Sequence, residues 1–160
     1  MKNITLEIHY EEFSGIEELD RDDRELCEAA VKALDGSYAP YSRFNVGAAV
    51  RLADGTIVSG ANQENAASPS GLCAERTAMF AANFSHPGVP MCSIAIVGAQ
   101  NGEICRDITS PCGACRQVMA EYQQIGGRDM SVLLYSGGRI LKFGRVDDIL
   151  PFIFDNLQGD

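Results

Sequence analysis

Met91-Cys92-Ser93-Ile94-Ala95-Ile96-Val97-Gly98-Ala99 is the stretch that decides the architecture. At its centre Ile94-Ala95-Ile96-Val97 is an unbroken apolar run, where a strand with one wet face would alternate. Such a run is expected of a strand covered on both faces. Working outward, a polar loop over 100–110 leads to a helix at 112–122. Strands over 131–135 and 139–143 follow, separated by Ser136-Gly137-Gly138. Residues 146–150 suit a last short helix before Pro151. On the other side, a helix is expected at 72–84, and strands at 45–52 and 56–60 flank the turn signal Ala53-Asp54-Gly55, giving a hairpin. Leu26, Cys27, Ala30, Val31 and Leu34 repeat at helical spacing over 20–34, with Gly36 as a stop. Ile4, Leu6, Ile8 and Tyr10 alternate with polar residues as a half-buried strand would. Strands interleaved with helices around apolar central strands predict an α/β fold: three layers, α/β/α, with a mixed central sheet. Without repeat, low-complexity tract or linker, residues 1–160 read as one domain, 1–18 being an N-terminal strand extension.

Bulk properties narrow the partners. The chain has 160 residues, 46% of them hydrophobic, enough for a real core. Acidic residues outnumber basic ones 22 to 13, for a formal charge of −9. Proteins that grip nucleic-acid phosphates present a basic face, so this balance disfavours a polynucleotide and favours a small substrate. The opening Met1-Lys2-Asn3-Ile4-Thr5-Leu6-Glu7 lacks the basic and apolar regions of a secretory signal, and no apolar run is long enough to span a membrane. A cytoplasmic location is the expectation.

Six cysteines fall into unlike groups. Cys27 and Cys92 belong to apolar patterns and read as core; Cys105 lies in a polar connection without assignment. Cys73, Cys112 and Cys115 have metal-site spacing. Ser110-Pro111 reads as a helix cap followed by proline at the first helical position, making Cys112 and Cys115 neighbours on one face. Cys73 sits at the opening of another helix, and helix N-termini favour thiolate, the form that binds metal. Zinc suits these soft ligands, and three protein ligands with a fourth position left for water mark a catalytic site. A closed structural zinc or a redox Cys-x-x-Cys would use the same pair. Neither His9 nor His86 lies in zinc spacing to close the site, and the third thiol has an acid beside it. That acid, Glu75, does not share a helix face with Cys73; it is expected to carry protons to and from the activated water. Arg76, three residues past Cys73, is placed to hydrogen-bond its thiolate.

Taken together, Cys73-Ala74-Glu75-Arg76-Thr77-Ala78 and Ser110-Pro111-Cys112-Gly113-Ala114-Cys115-Arg116-Gln117 resemble the small homotetrameric zinc-dependent cytidine deaminases. Two further blocks agree, Pro40-Tyr41-Ser42-Arg43-Phe44-Asn45-Val46-Gly47-Ala48-Ala49 and Asn62-Gln63-Glu64-Asn65-Ala66, and the similarity spans roughly 37–154 in order. The resemblance implies one zinc per subunit and hydrolysis of cytidine and 2′-deoxycytidine to the uridine products with release of ammonia, a pyrimidine-salvage reaction. It further implies that Phe44 packs near the base, that Asn62 and Glu64 hydrogen-bond the ribose 3′-hydroxyl, and that the Ala74 N–H meets the pyrimidine carbonyl. Phe154 would reach a neighbouring subunit's site in a homotetramer; read without the resemblance, it is a packing residue of the tail. Ser68 departs from the family, many of whose members carry an aromatic residue there, and residues 1–18 have no counterpart in the shortest members.

Alternatives remain at this level. Another aminated heterocycle such as blasticidin S would need the same zinc site, but the Asn62-x-Glu64-Asn65 block argues for a ribose. A polynucleotide-editing deaminase conflicts with the acidic balance. A non-catalytic, zinc-stabilised nucleoside-binding oligomer would have no need of Glu75.

Overall fold

A computed structural model describes residues 1–155. One seven-stranded mixed sheet runs in the order β1-β7-β6-β4-β2-β3, with the two-residue β5 paired to β4. The strands are β1 (Tyr10–Phe13), β2 (Phe44–Leu52), β3 (Ile57–Ala61), β4 (Met91–Gln100), β5 (Glu103–Ile104), β6 (Ser131–Tyr135) and β7 (Ile140–Phe143). Among the described strands, only β4 and β6 pair in parallel. The apolar run at 94–97 forms the centre of β4, which explains its lack of alternation. Ile94 and Ile96 join one buried cluster with Val132 and Leu134, whereas Ala95 and Val97 join a second with Leu133.

Three helices cover these two faces. The first, α1 (Arg21–Ala33), buries Leu26, Cys27 and Ala30 against Ala49, Ala95 and Leu133. Its cap is Asp20, whose side chain accepts the Asp23 N–H at 2.9 Å. On the opposite face lie α2 (Ala74–Ser85) and α3 (Gly113–Gly126), burying Ala78, Met79, Met119 and Ala120. The expected α/β/α layering is therefore present.

Close approach of α2 to the sheet depends on Gly60 of β3. A Cβ there would lie 2.4 Å from the Ala78 amide nitrogen and 3.0 Å from the Ala74 carbonyl oxygen. Both are backbone atoms of the helix that begins beside Cys73, so they yield only if the helix moves. Gly60→Ala is expected to cost about 1–3 kcal/mol through overpacking. Thermal denaturation checks this, and an unchanged Tm would show that the contact tolerates a methyl group.

Two sequence expectations need correction. The alternating stretch at 4–10 is not a strand, for only Tyr10 of it enters β1, and Ile4, Leu6 and Ile8 stay exposed. The reason lies in the register. Tyr10 pairs with Phe143, the last residue of β7, so residues preceding Tyr10 meet no ladder partner. Apolar alternation without a neighbouring backbone does not make a strand. Likewise Val146–Asp148 is a single 3-10 turn rather than a helix reaching Leu150, and Pro151 follows three residues after Asp148.

Candidate active site

Two helix openings meet at the thiols. Cys73 occupies the N-cap of α2 and Cys112 the N-cap of α3, both with extended backbone, and neither side chain caps its own helix. Ser110 and Pro111 thus lie outside α3, contrary to the expected cap. The Pro111 carbonyl, which would start the helix one residue earlier, instead accepts the Arg116 Nε–H at 2.9 Å. The N-cap position of Cys73 lets it and Glu75 border one cavity although they are two residues apart. Cys73 stands just off the helix, and Glu75 occupies its first turn.

The sulfurs of Cys73, Cys112 and Cys115 lie within 4.8 Å of one another, those of Cys112 and Cys115 at 3.5 Å. Zinc–sulfur bonds of about 2.3 Å in tetrahedral geometry place sulfurs about 3.8 Å apart, so the cluster fits the ion its chemistry suggests. Cys115 is fully buried, Cys73 partly buried and Cys112 exposed, so the group opens to one side. A hydrogen bond with Cys115, helped by Arg76 Nη2 at 3.5 Å, pulls the Cys73 thiol down to about 5. The same hydrogen bond with Cys73, together with burial, pushes Cys115 up. Cys27 is no part of this group; burial among apolar side chains pushes its thiol up to about 12.

Glu75 is 4% exposed, and burial raises its carboxyl above the ordinary value. It lines a cavity of about 640 Å³ together with Phe44, Asn62, Glu64, Cys73, Ala74, Arg76 and Cys112. Seven of the residues expected at the site therefore border one space beside Glu75. Cys115 lies beneath that lining. Ser68 borders the same cavity.

On the far side of the motif, polar groups are already organised. The Asn62 Nδ2 donates to the Phe44 carbonyl at 2.9 Å, and its Oδ1 accepts the Val46 N–H at 2.9 Å and the Ser37 hydroxyl. One Nδ2 hydrogen is left over from this set. Glu64 accepts the Tyr41 N–H at 2.8 Å and the Ser42 N–H at 3.3 Å. Hydrogen bonding from Ser42 and from these amides holds its carboxyl below the usual value. Phe44 is admitted by Gly98 of β4, where a Cβ would lie 2.9 Å from the ring's Cζ and 2.1 Å from the Thr109 hydroxyl oxygen.

Phe154 stands apart from this cavity. It is 66% exposed, and its backbone is gripped by Gln117, whose Nε2 donates to the Phe154 carbonyl at 2.7 Å and whose Oε1 accepts its N–H at 3.2 Å. Sequence reasoning gave no role to Thr109 or Tyr41, both of which border the cavity, or to Arg116, which braces the turn before Cys112. Nothing local marks Thr109, whereas Tyr41 lies in the block from Pro40 to Ala49. For Arg116, adjacency to Cys115 was the available signal.

Comparisons with known proteins agree with this geometry. The family model described as the cytidine and deoxycytidylate deaminase zinc-binding region matches residues 20–127. A cytidine deaminase of Halalkalibacterium halodurans is 47% identical over 96 residues, 60% of this chain and 68% of that protein. One from Mycobacterium tuberculosis is 36% identical over 125 residues, covering 78% of this chain and 84% of its own length. The crystal structure of cytidine deaminase from Burkholderia pseudomallei superposes with a TM-score of 0.66 at 40% identity, covering 81% of this chain and 97% of that one.

Proposed function

This chain belongs to the cytidine and deoxycytidylate deaminase family, and we propose that its cavity hydrolyses cytidine and 2′-deoxycytidine to uridine and 2′-deoxyuridine, releasing ammonia. The observation that carries this reading is the buried Glu75 carboxyl in the same cavity wall as two thiols of the three-sulfur cluster. Zinc held by Cys73, Cys112 and Cys115 supplies the Lewis acidity that makes water a nucleophile at neutral pH.

The chain's own groups do the rest. Glu75 takes the proton of the attacking water and passes it to ring N3 as oxygen adds to C4. It then moves the remaining proton of the added hydroxyl to the amino group, the C4–N bond breaks as the C4 carbonyl forms, and ammonia leaves. Burial favours the protonated carboxyl, which suits a group that must hold a proton between these transfers. The Ala74 N–H, in the first turn of a helix without a side-chain cap, suits the C2 carbonyl. Phe44 offers an apolar face to the base. Arg76 stabilises the Cys73 thiolate.

Asn62 and Glu64 are proposed to bind the ribose 3′-hydroxyl. Leaving their groups unpaired penalises ligands without it. Glu64→Ala is expected to raise KM for cytidine by roughly 10- to 100-fold, the worth of one or two hydrogen bonds to a charged group. The same change should narrow the preference for cytidine over 3′-deoxycytidine. Equal discrimination by wild type and variant would remove Glu64 from sugar recognition.

Reduced thiols suit a cytoplasmic enzyme of pyrimidine salvage. A homotetramer is supported by exposed Phe84, Phe152 and Phe154, whose rings need cover, with Phe154 completing a neighbouring subunit's site. Sedimentation at four times the 17.2 kDa chain mass is the expected result. The primary test is ammonia release by zinc-loaded protein offered cytidine, deoxycytidine, cytosine and blasticidin S. Turnover of the two nucleosides alone supports the proposal; turnover of blasticidin S alone, or of none, overturns it.

A further inference from the structure

Arg116 follows the buried ligand Cys115 on α3 but does not border the substrate cavity. It grips the turn of the exposed ligand twice. Its backbone N–H donates to the Cys112 carbonyl at 3.0 Å, and its Nε–H donates to the Pro111 carbonyl at 2.9 Å. The two peptide units that flank the Cys112 Cα are thereby each held at their carbonyl oxygen. The Cys112 side chain makes no capping bond; its sulfur meets its own helix at the Cys115 sulfur, 3.5 Å away, and the turn before it is held by Arg116. The second arm of the same guanidinium, Nη1, donates to the Ile149 carbonyl at 2.8 Å. That arm reaches the segment whose further end Gln117 clamps at Phe154. A guanidinium holds its donors on separate nitrogens of one rigid plane, whereas the three donors of an ammonium radiate from a single nitrogen on a flexible stem.

We propose that Arg116 is a positioning residue for the metal centre, bracing the Cys112 turn against the C-terminal segment so that this solvent-exposed thiolate keeps its place in the cluster. The inference rests on Cys112 being a zinc ligand. Groups that orient metal ligands are worth about 10- to 100-fold in metal affinity or activity. Arg116 acts through Cys112 and touches neither substrate nor zinc.

The test follows zinc transfer from the full-length, zinc-loaded protein to excess colorimetric chelator. Release from Arg116→Ala is expected to be about 10- to 100-fold faster than from wild type, with Arg116→Lys between them and KM for cytidine unchanged. Leu26→Ala, on the opposite face of the sheet, should lower stability yet release zinc at the wild-type rate. Wild-type release from Arg116→Ala overturns the inference, as does release from Leu26→Ala accelerated to the same degree. Should Arg116→Ala fail to fold, Arg116→Lys decides alone, and wild-type release from it is the overturning result. Wild-type protein that takes up no zinc would instead sink the proposed function, so the two failures are distinct.

Discussion

Glu75→Gln is expected to lower kcat for cytidine by roughly 100- to 10,000-fold, the usual contribution of a positioned acid–base group, while leaving one zinc bound. That range corresponds to about 3–5 kcal/mol of barrier. Glutamine matches glutamate in volume, so the buried site beside Ala74 and Ala78 keeps its packing. What it loses is the capacity to take a proton from water and return it to N3 and the amino group. Since Glu75 is not one of the three sulfur ligands, metal content should not follow activity. KM should change little, because the sugar and base contacts assigned to Asn62, Glu64 and Phe44 persist. Steady-state ammonia release, with zinc measured on the same sample, checks both halves. Near-normal turnover would remove Glu75 from proton transfer; lost zinc would show that it supports the metal instead.

Cys115→Ala should abolish zinc binding and activity together and lower the Tm. Cys115 is fully buried, so its replacement leaves two thiols and a cavity where the metal was anchored. Metal that binds only the folded state stabilises it by mass action, and its loss removes that contribution. Wild-type protein treated with chelator should therefore show part of the same fall in Tm. The informative control is Cys27→Ala. Cys27 is equally buried but lies in the cluster beneath α1, so it should lose stability while retaining one zinc and normal turnover. Stoichiometric zinc in Cys115→Ala would refute the three-thiol centre.

Much of this molecule is written in local pattern. Spacing of three residues set Cys112 and Cys115 apart from the other thiols, because it puts two sulfurs on one helical turn; Cys73, 39 positions earlier, was marked by its helix opening and the acid two residues on. Unalternated apolar residues at 94–97 announced a strand with no wet face, and both faces are covered. Glu75 was legible only through its neighbours; by itself a glutamate in a helix reads as solvated surface, and its burial became visible only in the fold.

What pattern could not decide was set by partners distant in the chain. The alternation at 4–10 demands a neighbouring backbone, and β7 ends at Phe143 before supplying one. A cap at Ser110 was the natural local reading, but α3 starts at Gly113 with Cys112 as its N-cap, and the Pro111 carbonyl accepts from the Arg116 side chain, five residues on. Asn62 is tied to Ser37, Phe44 and Val46, residues 16 to 25 positions away. Sequence by itself determined which atoms can bind metal and move protons, since that is a property of side-chain type and short-range spacing. Tertiary structure alone decided which backbone groups remain free to receive a ligand, because hydrogen-bond partners and burial are supplied by whatever the rest of the chain packs beside them.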